Sequence, residues 1–375
     1  MVRRAALTMA LSGLLAACGT FEIGLETGTP PPAAVAPSQP AADSFSGLLT
    51  GAGPDPAGLV YALVPRNQLV QVDEDGNLIR LIDRAEAVLA PEGRQALFVE
   101  GADVWLADLV TGERRNLTRT PDRLEAEPRW WPARPGWIAF SSRPKEQGPA
   151  TAPAPSPAVM RLDGTRYQVL TEAEAQRGFA LAPDGRLLAS GAGPNAWLHD
   201  LDTGQRRRLD PHAFGYEPPA AGAWSLAWPA WSPDGTQLAW TLTETGAAGS
   251  ARVSGLVLDL DAGTFRILHP YPFTRADDQL PALLWSPDGR WLVMPVHSDS
   301  LGEGGLWALR VDGSEERYLG NLHGAHWSPD GRWLAASYNT PDNQALTYAL
   351  QLGQWDLTQM PRPKDARLTG WAPAH

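Results

Sequence analysis

Three histidines could do chemistry together. His297 follows an alternating apolar run, and His323 and His326 precede Trp327 by four residues and one. Three imidazoles can hold a transition metal, provided the fold brings them to one point. Isolated histidines of this kind more often hydrogen-bond a loop or meet solvent, so no metal or other cofactor is expected. A second group is aromatic and acidic: Phe214, Tyr216, Tyr271, Phe273, Asp277 and Asp278, with Trp224 and Trp228 nearby in AWSLAWPAW. Such side chains suit recognition of a ligand or protein; the plainer reading is that they shield a rim or fill a core. Other chemistry is missing. The chain has no G-x-S-x-G nucleophile elbow, Walker loop, HExxH or cysteine-based metal site. Ser286-Pro287-Asp288-Gly289 has the wrong order for a sialidase-type box. No catalytic residue is therefore assigned.

What would position these residues is a repeat. WSPDGRWL occurs at 285–292 and again at 327–334, and WSPDGTQL begins at Trp231. Weaker relatives begin at Leu89 (LAPEG), Trp130 (WWPARPG), Leu181 (LAPDG) and Trp371 (WAPAH). The seven leads stand 41 to 54 residues apart. In each, an apolar residue ends one strand, Pro fixes φ, and Asp-Gly makes a tight turn. An alternating strand follows, as in RWLVMPV and RWLAASY. A second turn recurs downstream: DLVTGERRNL, DLDTGQRRRL, DLDAGTFRIL and RVDGSEERYL. Each repeat thus reads as four antiparallel strands, A to D.

Four-stranded units at this period predict an all-β fold, a β-propeller, because one blade cannot cover both of its apolar faces. The first segment, GLVYALVPRNQLVQVDEDGNLIRLI, supplies strands B, C and D without an A. ARLTGWAP supplies an A with nothing after it. Seven blades are expected, the C-terminal strand completing the N-terminal blade. B–C and D–A connections then share one face. That face receives the longest segments, 143–157, 210–223, 269–279 and 339–344, together with the three histidines.

The motif resembles the WD40-like (PD40) repeat family of TolB type, through WSPDG with its following strand, the D-L-x-[TA]-G turn, and EPRWWP at 127–132. The resemblance spans nearly all of 58–375. It implies the propeller and no particular function, since the family's repeat residues are structural. TolB itself has an α/β domain before a six-bladed propeller, so its partner interactions do not carry over. Peptidases with similar propellers need a hydrolase domain for which 58–375 has no length. Some oligosaccharide lyases with related propellers use a histidine-bound metal, which keeps an enzyme reading alive.

The first residues differ. MVRRAALTMALSGLLAAC has two arginines, a short apolar run and then Leu15-Ala16-Ala17-Cys18, like the lipobox of bacterial lipoproteins. That resemblance implies a signal peptide at 1–17 and a lipidated Cys18. The alternative is an ordinary cleaved signal with a chance cysteine. Cys18 is the sole cysteine, which excludes an intrachain disulfide. Residues 18–57 are rich in Pro and Ala and read as a tether. Without Arg3 and Arg4 the formal charge is near −13, a balance that repels nucleic acid. The expectation is a monomeric, lipid-anchored protein of the cell envelope, periplasmic or at the cell surface. Its propeller would be a non-catalytic scaffold for other envelope proteins or an extracytoplasmic ligand. The alternative is a carbohydrate-active or metal-dependent, lyase-like enzyme using the loop face.

Overall fold

The WSPDG turn is a hydrogen-bonded lock. Ser232 N–H donates to Gln237 O at 3.0 Å and Gly235 N–H to Ser232 O at 2.9 Å. The Ser232 hydroxyl donates to Asp234 Oδ1 at 2.6 Å and accepts from Gln237 N–H at 2.9 Å. Ser286 and Ser328 repeat both side-chain bonds. Gly235, Gly289 and Gly331 sit at φ +75°, +69° and +69°, where a side chain would be strained. The serine hydroxyl is the main cause holding the Asp234 carboxyl below its usual range; its counterpart brings Asp330 down to about 2.

These turns join strands A and B in a computed structural model that describes residues 54–145, 155–170, 178–192, 195–217, 223–245, 251–273, 282–296, 305–340 and 344–372. The expected signal peptide, Cys18 and most of the tether lie outside the described residues, as do His297, Asp277 and Asp278. Seven four-stranded antiparallel sheets form a ring, a β-propeller. Blade 1 orders Ala366–Trp371, Leu59–Leu63, Gln68–Val72 and Leu78–Ile82. Blades 2 to 7 follow in sequence at 88–116, 123–169, 179–209, 223–273, 284–320 and 322–360.

The core lies between blades. The described residues give seven buried apolar clusters, and each is built from two consecutive blades. The cluster of Leu59, Tyr61, Ala335, Ala349 and Leu368 joins blade 7 to blade 1. Each blade therefore hides its apolar faces only against its neighbours, as the period required.

Three of the five lead tryptophans add a hydrogen bond to this packing. Trp231 Nε1 donates to Ala180 O at 3.2 Å, Trp285 Nε1 to Ala230 O at 3.0 Å, and Trp130 Nε1 to Val88 O at 2.8 Å. Every acceptor is the residue just before the lead position of the preceding blade. Closure is as expected: Leu59–Leu63 pairs with Ala366–Trp371 from Leu59↔Trp371 to Leu63↔Ala366. Trp371 is half-buried rather than buried, and its Nε1 bonds Ala57 O within its own blade.

Candidate functional site

Blade 5 stands apart in length. Its strands Ala223–Trp231, Gln237–Thr245, Ala251–Asp259 and Thr264–Phe273 run nine or ten residues. The described parts of blade 6's strands run two to six residues, and the first two strands of blade 3 run eight. The two Trp-Ser-Pro-Asp-Gly turns align, so the surplus falls at the other ends, on the face of the B–C connections. Beyond the described ends of blade 6, strands B and C of blade 5 add three residues each, about 10 Å. Both blades use the same turn at the opposite face, so the asymmetry belongs to one side.

The segment 269–273, expected in a loop, is instead strand. Tyr271 pairs with Val253 and Phe273 with Ala251. Alternating aromatic residues favour a pleated strand. Pro270 and Pro272 are tolerated because the fourth strand is an edge, where a missing N–H need not break a ladder. Tyr271 and Phe273 are thus placed on the rim by their backbone.

Other expected site residues divide. Tyr216 is only 2% exposed and packs inside the blade 4–5 core, its hydroxyl donating to Glu244 Oε1 at 2.8 Å. Burial, then the Glu244 carboxylate, raises its pKa. Trp224 meets Tyr216 edge-on at 5.4 Å and His212 at 6.2 Å between ring centres. Trp224 is half-buried on the raised part of strand A. Phe214 ends the short 3-10 helix Pro211–Phe214 and packs, half-buried, on the same core. Trp228 occupies a β-bulge at φ +55°. Its ring crosses Gly178 so closely that a Cβ there would lie 2.3 Å from it. Phe214, Tyr216 and Trp224 are therefore brought together, and Trp228 serves a separate contact between blades 4 and 5.

His323 and His326 lie within strand A of blade 7, on either side of a bulge, opposite Ser337 and Ala335. Burial pushes the His326 imidazole down to about 4, so it is neutral at pH 7. Among the described residues, no three His, Cys, Asp or Glu side chains are grouped to hold a metal ion.

Sequence reading missed two features. Glu125, 3% exposed at the blade 2–3 junction, accepts from Thr120 at 2.6 Å, Tyr167 at 3.1 Å and Thr118 at 3.4 Å. Tyr167 also meets Ser142 at 2.7 Å. Burial raises the Glu125 pKa against those hydroxyl bonds, and raises Tyr167 to about 12. This carboxylate is satisfied by hydroxyls from the blade 2–3 connection and from blade 3, so it ties the connection to the blade. The second feature is a cavity of about 820 Å³ lined by the first strands of blades 1, 2 and 3 and by Pro329 of blade 7. Arg129 and Arg367 line it beside Trp130 and Trp371. The signal was present in the repeat. Arg129 stands one residue before its lead, where blades 2, 4 and 5 have Val88, Ala180 and Ala230.

No protein-family model matches the chain, and no curated protein matches it. Solved structures do. A structure of two prolyl endopeptidases superposes with TM-score 0.56 at 12% identity, over 81% of this chain and 49% of that one. A Mycobacterium tuberculosis puromycin-hydrolyzing peptidase gives 0.55 at 13% identity, over 82% and 54%. TolB from Acinetobacter baumannii gives 0.47 at 17% identity, over 87% and 69%. The chain spans about half the length of either peptidase chain. At such identities the likeness is one of fold: this is a β-propeller protein of seven blades.

Proposed function

We propose that this chain is a lipid-anchored, extracytoplasmic binding scaffold, whose raised blade 5 rim engages another protein of the cell envelope. The observation that carries the reading is the rim itself, formed by four strands of nine or ten residues where the described strands of every other blade run eight or fewer. Recognition concentrates on projections held by a rigid frame. Trp224 and the exposed Arg252 lie on the rim, giving it one aromatic and one cationic handle. The Leu15-Ala16-Ala17-Cys18 sequence supports the anchor, and the acidic balance argues against nucleic acid. The WSPDG repeats support placing the propeller with TolB-type repeats.

The test is cross-linking and affinity capture with the intact lipidated protein, beside a Trp224→Ala/Arg252→Glu variant. A partner captured by the parent and lost by the folded variant, and weakened by Arg252→Glu alone with the melting temperature unchanged, supports the rim. Equal capture by both removes it. Turnover of an oligouronide panel by residues 19–375 would replace the scaffold with the enzyme reading.

A further inference from the structure

The cavity lined by blades 1, 2 and 3 differs in charge from the rest of the molecule. The protein carries a formal charge of −11, yet the cavity lining has Arg129 and Arg367 against Glu86, with Glu127 acting on Arg129 from outside the lining. Low-dielectric walls focus such a field into the space between them. Among the described residues, Arg129 gives one hydrogen bond, from Nη1 to Phe179 O at 2.9 Å, and its guanidinium lies 4.8 Å from the Phe179 ring centre. That contact fixes the side chain and leaves most of its five N–H donors uncommitted. Arg367 is exposed within the cavity. Around the two cations the wall is apolar: Val60, Leu69, Leu89, Trp130 and Trp371. Both indole N–H groups are already spent on backbone carbonyls, so these rings offer apolar surface and no donor. The volume falls within the range of small-molecule sites, about 300–1,000 Å³.

We propose that this cavity is a binding site for a small oxyanion with an apolar body, a carboxylate or phosphate held by Arg129 and Arg367 with its body against Trp130 and Trp371. Guanidinium forks match planar or tetrahedral oxyanions in a way that a lysine does not. The site is independent of the blade 5 rim, and either can fail alone.

Calorimetric titration of residues 19–375 with 4-phenylbutyrate, phenyl phosphate, inorganic phosphate and the neutral 4-phenylbutanol tests it. At least one of the two anions with a ring should bind with a Kd below about 1 mM (roughly −4 kcal/mol). The neutral alcohol and inorganic phosphate should each bind at least tenfold more weakly than that anion. Preference between butyrate and phosphate esters separates the two oxyanion sources. Arg367→Gln, at an exposed position, should weaken binding tenfold or more with an unchanged melting temperature, and Arg129→Gln should do the same if it folds. Alcohol binding as tight as the anion, inorganic phosphate as tight as phenyl phosphate, an indifferent Arg367→Gln, or no binding at 10 mM would each overturn the proposal.

Discussion

Ser190 and His199 meet inside blade 4, with Ser190 Oγ 3.0 Å from His199 Nε2. Both are buried, and their bond is part of the packing of blade 4. Burial first, and the nearby Arg206 second, push the imidazole from 6.5 down to about 4. The unfolded chain therefore takes up this proton before the folded one does. Stability from His199 is fully present above about pH 6.5 and is lost as pH falls toward 4, by up to about 3 kcal/mol. The melting temperature should drop between pH 7 and 5, and His199→Gln should flatten that slope. Coincident slopes for parent and variant would show that the imidazole is not held neutral. Glycines give a second contrast at this scale. A Cβ on Gly331 would lie 2.7 Å from Pro287 Cβ in the preceding blade's turn, whereas one on Gly112 meets nothing within 4 Å. Both have positive φ. Gly112→Ala should cost about 1–2 kcal/mol from backbone strain alone. Gly331→Ala should cost a further ~1–3 kcal/mol for the clash. Urea midpoints decide it; equal losses would mean that adjacent turns do not press on one another.

Between strands and blades, the tryptophans separate what a hydrogen bond adds from what a ring adds. Trp231 bonds the preceding blade, while Trp327 Nε1 is buried with no hydrogen-bond partner among the described residues. Trp231→Phe orphans Ala180 O on that side; Trp327→Phe only removes an unsatisfied donor. Trp231→Phe should thus be the less stable by about 1–2 kcal/mol, read from denaturant melts of both. If the two variants melt together, the indole bonds contribute nothing to blade docking. The ring positions of these tryptophans were legible, because Pro and Asp-Gly after each one mark the strand end. Blade count and closure were legible for the same reason. The bonding was not, since the acceptors are backbone carbonyls some fifty residues away. The rim was half legible. Strand B's TQLAWTLTET alternates past its expected end, but prolines 270 and 272 read as loop until the edge position of strand D explains them. Tyr216 shows the converse limit: nothing in YEPP tells an exposed ring from one turned inward onto Glu244. Arg129 was visible only by comparing blades position by position.

At the scale of the ring, everything rests on one strand supplied from the far end of the chain. Ala366 and Leu368 are buried against both blade 1 and blade 7, and Leu59–Leu63 is buried along its whole length. Removing residues 366–375 would leave that strand with a bare inner edge and would strip the cluster joining the two blades. Leu368 alone should contribute about 2–5 kcal/mol. Half-buried Trp371 adds less than a buried indole would. Together with the five lost pairings, this is comparable to much of a domain's net stability of about 5–15 kcal/mol. The truncated protein should melt far below the parent or aggregate through the opened strand. Removing a similar length of the tether, residues 29–39, should leave the melting temperature unchanged, which controls for chain length. Leu368→Ala, which keeps the strand but hollows the cluster, should fall between the two. A truncated ring as stable as the parent would mean that blades 7 and 1 hold together without the shared strand. Closure by hydrogen bonding would then contribute nothing, and apolar contact between the two blades would have to do all of the joining.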